Sequence, residues 1–311
     1  MADPEKTREQ QLLKEEEPFR RNAFLLIEKM LDLYQPSAHA KALVDEILHS
    51  IFFCGKIHNP PFSPEMILID VEIIKELKDV FPRPFELFSS RLPRRGPFSC
   101  VLDMIVHLNG GENENKIIDV LRTLITDLKL RESMHLVSST ICFSHKTEIQ
   151  DPVKYYGVSN SAPDPRRIMY AASCLGGWDS YVAGAVMTYL PKKKKKPDFD
   201  GTIVLPSNVR CHAFSLSDGK VKSPCRSCGN LFGLTTSEIA VNEYGNCAEV
   251  ESLSNLFKNV VDVKEQARPT SEKYSDLKRA KVEKLVRTDL RNWLLHKGFP
   301  WDQNFYTPQP V

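Results

Sequence analysis

The sequence predicts a mixed protein, α+β or α/β. An all-helical domain (residues 1–135) precedes a mixed sheet flanked by helices (residues 136–311). Three observations carry this expectation. Apolar residues recur at helical spacing through the first 130 positions. Short β-branched and apolar runs begin near residue 136. The length of 311 residues, with 41% hydrophobic and 26% charged content, suffices for about two domains with a buried core.

In the first part, Ala23, Leu26, Ile27, Met30, Leu31 and Tyr34 share one helical face. After Gln35-Pro36, Ser37 can cap a second helix whose stripe is Ala40, Leu43, Val44, Ile47, Leu48 and Ile51. Ser63-Pro64 starts a third, with Met66, Ile69, Ile73, Leu77 and Val80 along one side. The segment from Phe81 to Pro97, rich in proline and arginine, reads as a connector. Ile117, Val120, Leu121, Leu124 and Leu128 mark a helix after Gly110-Gly111. In the second part, strands are expected over 136–143, 181–190, 201–205 and 211–216, the last closed by Ser217-Asp218-Gly219. Asp164-Pro165 opens a helix reaching Cys174. Two short helices, 226–232 and 247–258, enclose a strand-like piece at 238–241. A basic helix around Val282, Val286, Leu290 and Trp293 closes the fold.

Composition narrows the function classes. The net charge of +2, from 42 Lys plus Arg against 40 Asp plus Glu, creates no global field for polyanions, so any such preference needs a local patch. No apolar run reaches the roughly 18 residues of a membrane span, and no membrane partner is expected. Residues 1–17 are charged and lack the apolar stretch of a signal peptide. The expected location is therefore cytoplasmic, nuclear or both. In a reducing compartment, eight cysteines serve as metal ligands or small core residues rather than as disulfides.

Two segments concentrate chemistry: Ser223-Pro224-Cys225-Arg226-Ser227-Cys228 and Gly245-Asn246-Cys247-Ala248-Glu249. A C-x-x-C pair at a helix start offers two thiolates to one Zn²⁺, and Cys247 offers a third at the start of the next helix. Three protein ligands leave a fourth position for water, which marks a catalytic site, and Glu249 stands where a general acid/base is needed. With His212 as a fourth ligand the same cysteines would instead form a closed, structural Cys3His site. Cys54, Cys100, Cys142 and Cys174 lie in apolar surroundings and read as core residues, and His107 and His145 as packed or exposed.

The constellation resembles the zinc-dependent cytidine deaminase superfamily, which combines a [His/Cys]-Ala-Glu motif with Pro-Cys-x-x-Cys, each opening a helix against a mixed sheet. Cys247-Ala248-Glu249 matches the first motif and Pro224-Cys225-Arg226-Ser227-Cys228 the second, over roughly residues 223–257. The resemblance implies Zn²⁺ on Cys225, Cys228 and Cys247, proton transfer by Glu249, and a nucleobase substrate in a nucleotide or nucleic acid. The motif order is reversed relative to the family. Zinc needs two helix starts facing each other, whichever comes first along the chain. In the usual order, Cys211-His212-Ala213-Phe214 would stand in the first position but carries Phe214 where the Glu belongs, which leaves it only a metal-binding role. Asn208-Val209 resembles a ribose-binding pair, but Arg210 follows where the family has Glu, so Asn208 reads as a turn residue.

Pro191 and Pro197 flank Lys192, Lys193, Lys194, Lys195 and Lys196, expected as an exposed tip between two strands. Such a tip suits phosphate backbones or nuclear import, or is simply a solvated turn. Arg83, Arg91, Arg94 and Arg95 could extend a basic surface. Two non-enzymatic alternatives remain at this point. One is a protein-interaction module with a structural zinc, its helical domain holding a protein partner. The other is a nucleic-acid binder acting through the lysines.

Overall fold

A computed structural model describes residues 17–130, 136–148, 152–162 and 166–308. Its class is α+β: among the described residues, thirteen helices accompany one open four-stranded sheet, and the N-terminal region is helical. Seven helices come first: α1 (Pro18–Asp32), α2 (Ala38–Ile57), α3 (Pro64–Leu68), α4 (Val71–Val80), α5 (Pro82–Leu87), α6 (Pro97–Asn109) and α7 (Glu114–Asp127). The Ser37 and Ser63 hydroxyls cap α2 and α3 by accepting from the N–H groups of Ala40 and Met66. The third expected helix is broken in two. Ile69 turns into a left-handed conformation (φ 61°), and the Asp70 carboxylate starts α4 by accepting from Glu72 and Ile73. Helices α5 and α6 arise in and after the expected connector, each with a proline in its first turn.

The arginines of that connector each contact other parts of the chain. Leu92 and Phe305 form a β-bridge, and the segment before and after Phe305 crosses the helical part. Arg83 donates to the Thr307 carbonyl, Arg94 to that of Tyr306, and Arg91 pairs with Asp302 at 3.3 Å. Arg95 pairs with Glu46 at 2.7 Å and with Asp103. Each of the four guanidiniums thus has an intramolecular partner, a carboxylate for Arg91 and Arg95 and a carbonyl for Arg83 and Arg94.

The sheet comprises β1 (Thr140–Lys146), β2 (Tyr155–Val158), β3 (Val209–Ser215) and β4 (Val221–Lys222), in the order β2-β1-β3-β4 with every pairing antiparallel. Between β2 and β3 lie α8 (Arg167–Gly176) and α9 (Ser180–Met187). After β4 come α10 (Arg226–Phe232), α11 (Ala248–Asn259), α12 (Val261–Gln266) and α13 (Asp276–His296). The expected start of α8 at Asp164-Pro165 lies outside the described residues.

Three expected strands are replaced. Residues 181–190 contribute to α9, capped by the Asp179 carboxylate on the Tyr181 N–H; Val182–Met187 are buried on all sides, so the segment has no period to read. Residues 201–205 pair with no strand. The N–H groups of Ile203 and Leu205 instead satisfy the carbonyls of Leu231 and Phe232 at the end of α10. Residues 238–241 wrap α10, with the Ala240 carbonyl accepting from Arg226. The first strand starts at Thr140 rather than Leu136.

Period-2 alternation gives the sheet two unlike faces. Cys142 and Ala213, opposite each other in the β1–β3 register, pack with Ala248 of α11. Phe143 and His212, also opposite each other, stack on the reverse face at 5.4 Å, beside Phe214 at 5.8 Å from Phe143. Small residues on the first face let α11 lie close against the strands. At Gly157 a Cβ would meet the Ala248 carbonyl oxygen at 2.7 Å and the Ser252 nitrogen, both helix backbone that cannot yield. Gly157→Ala is therefore expected to lower unfolding free energy by about 1–3 kcal/mol through overpacking, read as a lower urea midpoint at unchanged slope. An unchanged midpoint would mean that α11 is not held at this distance. One continuous apolar cluster, from Phe19 to Phe299, runs through the N-terminal helices and on to residues of α11 and α13.

Candidate metal centre

Two helix starts meet beside the sheet. Pro224 and a left-handed Gly233 (φ 68°) bracket α10, with Cys225 as its N-cap and Cys228 one turn on, fully buried. Cys247 is the N-cap of α11. Neither N-cap side chain makes a capping hydrogen bond, so both sulfurs remain at the helix starts without that role. The three Sγ atoms lie within 4.8 Å of one another, and those of Cys225 and Cys247 are 3.3 Å apart. Tetrahedral coordination with metal–sulfur bonds of about 2.3 Å spaces sulfurs about 3.8 Å apart, so the cluster needs little movement to hold an ion. Three neighbouring thiols that could bind a metal ion are thus present, and they are the only such group among the described residues.

Their protonation is unequal. Thiol hydrogen bonds from Cys228 and Cys247, aided by the N–H groups of Cys228 and Ser227, hold Cys225 far below the usual thiol range although burial opposes this. Donating to Cys225 pushes Cys247 and Cys228 up, and burial adds to both shifts. Glu249, in the first turn of α11, is only 5% exposed. Burial raises its affinity for a proton, and Cys228 lies within hydrogen-bonding reach of its carboxylate.

A cavity of about 250 Å³ opens onto this cluster. Cys225, Cys247, Ala248 and Glu249 form one wall; Ser139, Thr140, Ser159, Ala213, Lys222, Ser223, Asn242 and Asn246 form the rest. None of these polar side chains belongs to a spacing pattern in the sequence. They arrive from β1, β4 and several loops, and only Ser223 and Asn246 lie in the two segments that the sequence singles out.

His212 is not part of the centre. It occupies the reverse face of β3, stacked on Phe143 and on His145 at 5.9 Å, so it cannot complete a Cys3His site. Cys211 does face α11, but its Sγ contacts Cys142 at 3.2 Å and lies outside the three-thiol group. Cys54, Cys100, Cys142 and Cys174 are buried as expected of core residues. Asn208 occupies a turn, its carbonyl accepting from the Thr147 N–H at 2.8 Å.

The lysine segment also departs from expectation. It follows α9 rather than joining two strands. Lys196 turns inward to cap the carbonyls of Met187 and Leu190, and burial lowers its proton affinity. Lys195 pairs with Asp200 at 2.6 Å and Lys193 approaches Glu243 at 4.0 Å. Lys192 and Lys194 are exposed. No helix among the described residues is long and apolar enough to cross a membrane.

No known protein family matches this chain, and no curated protein or solved structure is significantly similar to it.

Proposed function

We propose that the chain is a zinc-dependent hydrolytic deaminase-like protein acting on an amino-bearing nucleobase in a nucleotide or nucleic acid. The observation that carries this reading is the three-thiol group of Cys225, Cys228 and Cys247, whose Cys225 and Cys247 line one cavity together with the buried Glu249. Three thiols are a compact, soft donor set of the kind that selects zinc, and no fourth His, Cys, Asp or Glu joins them among the described residues. A zinc ion so held supplies Lewis acidity and lowers the pKa of coordinated water. The chain's own contribution is proton transfer. Glu249 takes a proton from the attacking water and returns it to the departing amine, and a carboxylate shielded from bulk water is suited to both halves. The reversed motif order is compatible with this chemistry, because the thiols of α10 and α11 converge regardless of which helix comes first.

The reading is tested by ammonia release from a panel of cytosine- and adenine-containing nucleosides, nucleotides and short single strands, with the zinc-loaded full chain. Turnover is expected on at least one of them, lost with Cys225→Ser. Stoichiometric zinc without release from any substrate would leave a metal-binding protein and end the enzymatic reading.

A further inference from the structure

Lys222 is the one cationic side chain on the cavity wall. It lies on β4 at the sheet edge, three residues before Cys225, and the Glu249 carboxylate feels its charge. Among the described residues no carboxylate lies within ion-pair distance of its ammonium. Its only hydrogen bond runs to the Thr140 hydroxyl, at 3.1 Å. From there hydroxyls continue along the wall: Ser139 Oγ is 3.4 Å from Thr140 Oγ1 and 3.5 Å from Ser159 Oγ. The Ser139 hydroxyl has only these two long contacts, which leaves it able to donate into the cavity. Ser159 is fixed in place because its Oγ accepts from the Ser139 and Thr140 N–H groups, at 3.1 and 3.2 Å.

This wall is an anion cradle: one unpaired ammonium with hydroxyl donors spread beside it, and no aromatic ring. We infer that Lys222, with Thr140 and Ser139, holds a phosphate group of the substrate, and that the site discriminates phosphorylated from unphosphorylated ligands. A tetrahedral phosphate is served by a point charge and donors from several directions, which is what these residues offer. The inference rests on the reading of this cavity as a substrate site. It assigns Lys222 a specificity role, distinct from the proton transfer assigned to Glu249. The phosphate could belong to a free nucleotide or to a strand, and the two sources separate experimentally.

Calorimetric titration of the zinc-loaded full chain with cytidine 5′-monophosphate, cytidine and a short single-stranded oligonucleotide lacking terminal phosphates provides the test. The monophosphate is expected to bind about 10–100-fold more tightly than cytidine, the range of one or two charge-assisted hydrogen bonds. Lys222→Met should abolish that preference and Lys222→Arg should keep most of it, with zinc content unchanged in both. Lys222 is exposed, so neither substitution disturbs the core. Oligonucleotide binding that depends on Lys222, without binding of the monophosphate, would place the phosphate in a strand. Equal affinity for monophosphate and cytidine, a preference that survives Lys222→Met, or no binding of any phosphate-bearing probe would overturn the inference. Phosphate selectivity in a chain that releases no ammonia would remove the deaminase reading and leave this one standing.

Discussion

Cys228→Ala is expected to eliminate stoichiometric metal and to make the thermal stability of the chain insensitive to chelators. Cys228 is fully buried, and its sulfur forms the inner corner of the three-thiol group. Its loss leaves two thiols at the cavity wall and no inner ligand. An ion that binds the folded chain but not the unfolded one stabilises it by about 2.7 kcal/mol at 100 times its dissociation constant and about 4.1 kcal/mol at 1,000 times. The parent chain should therefore lose stability on that scale when a chelator is added. The truncated side chain also leaves a small cavity, which would cost some stability with or without metal. Chelator sensitivity separates the two contributions, because only the metal-dependent part disappears from the variant. Metal analysis together with melting in the presence and absence of chelator checks it. A parent chain whose melting ignores the chelator would refute the role given to the cluster.

Much of the site's scaffold was legible because its signals are local. Pro224, Cys225 and Gly233 fix the start and end of α10, and the apolar face of residues 250–257 marks α11, so both helices fall within a residue of where the sequence places them. The start of α2 is likewise announced by Ser37, although the helix runs to Ile57, beyond the stripe that ends at Ile51. What was not legible depends on environment. Residues 182–187 are buried all round, so neither a 3.6 nor a 2.0 period survives, and their helix is decided by the Asp179 cap. Strand β2 has four residues, one of them Gly157, whose reason is the closeness of α11. His212 illustrates the limit for ligands. Alternation separates it from Cys211 and Ala213, but only the docking of α11 decides which side holds the sulfurs. The hydroxyl wall of the cavity needed β1, β4 and the loops together, and no linear spacing encodes that meeting. The lysine segment is the converse case. Its composition suggested a free charge cluster, and the fold directs Lys193, Lys195 and Lys196 to acceptors of the same chain.

Glu249→Gln is expected to reduce turnover by about 10²–10⁴-fold, the usual range for removing a positioned general acid/base, while leaving metal content unchanged. Glutamine preserves the volume and one carbonyl acceptor, so the α11 N-terminus and the packing around Ala248 should persist. What it cannot do is carry a proton from water to a leaving amine. The carboxyl is also nearly enclosed: burial is the largest influence on it, and Cys228 is its close neighbour. A neutral amide in that position removes a desolvated acid, so the variant should be at least as stable as the parent by denaturant titration. This opposition of effects distinguishes chemistry from scaffolding. A residue needed only for folding would lower stability and activity together. A proton carrier held at a cost to stability would lower activity alone. If Glu249→Gln turns over substrate as fast as the parent, proton transfer does not run through this carboxyl. The cavity would then serve binding without the catalytic step assigned to it.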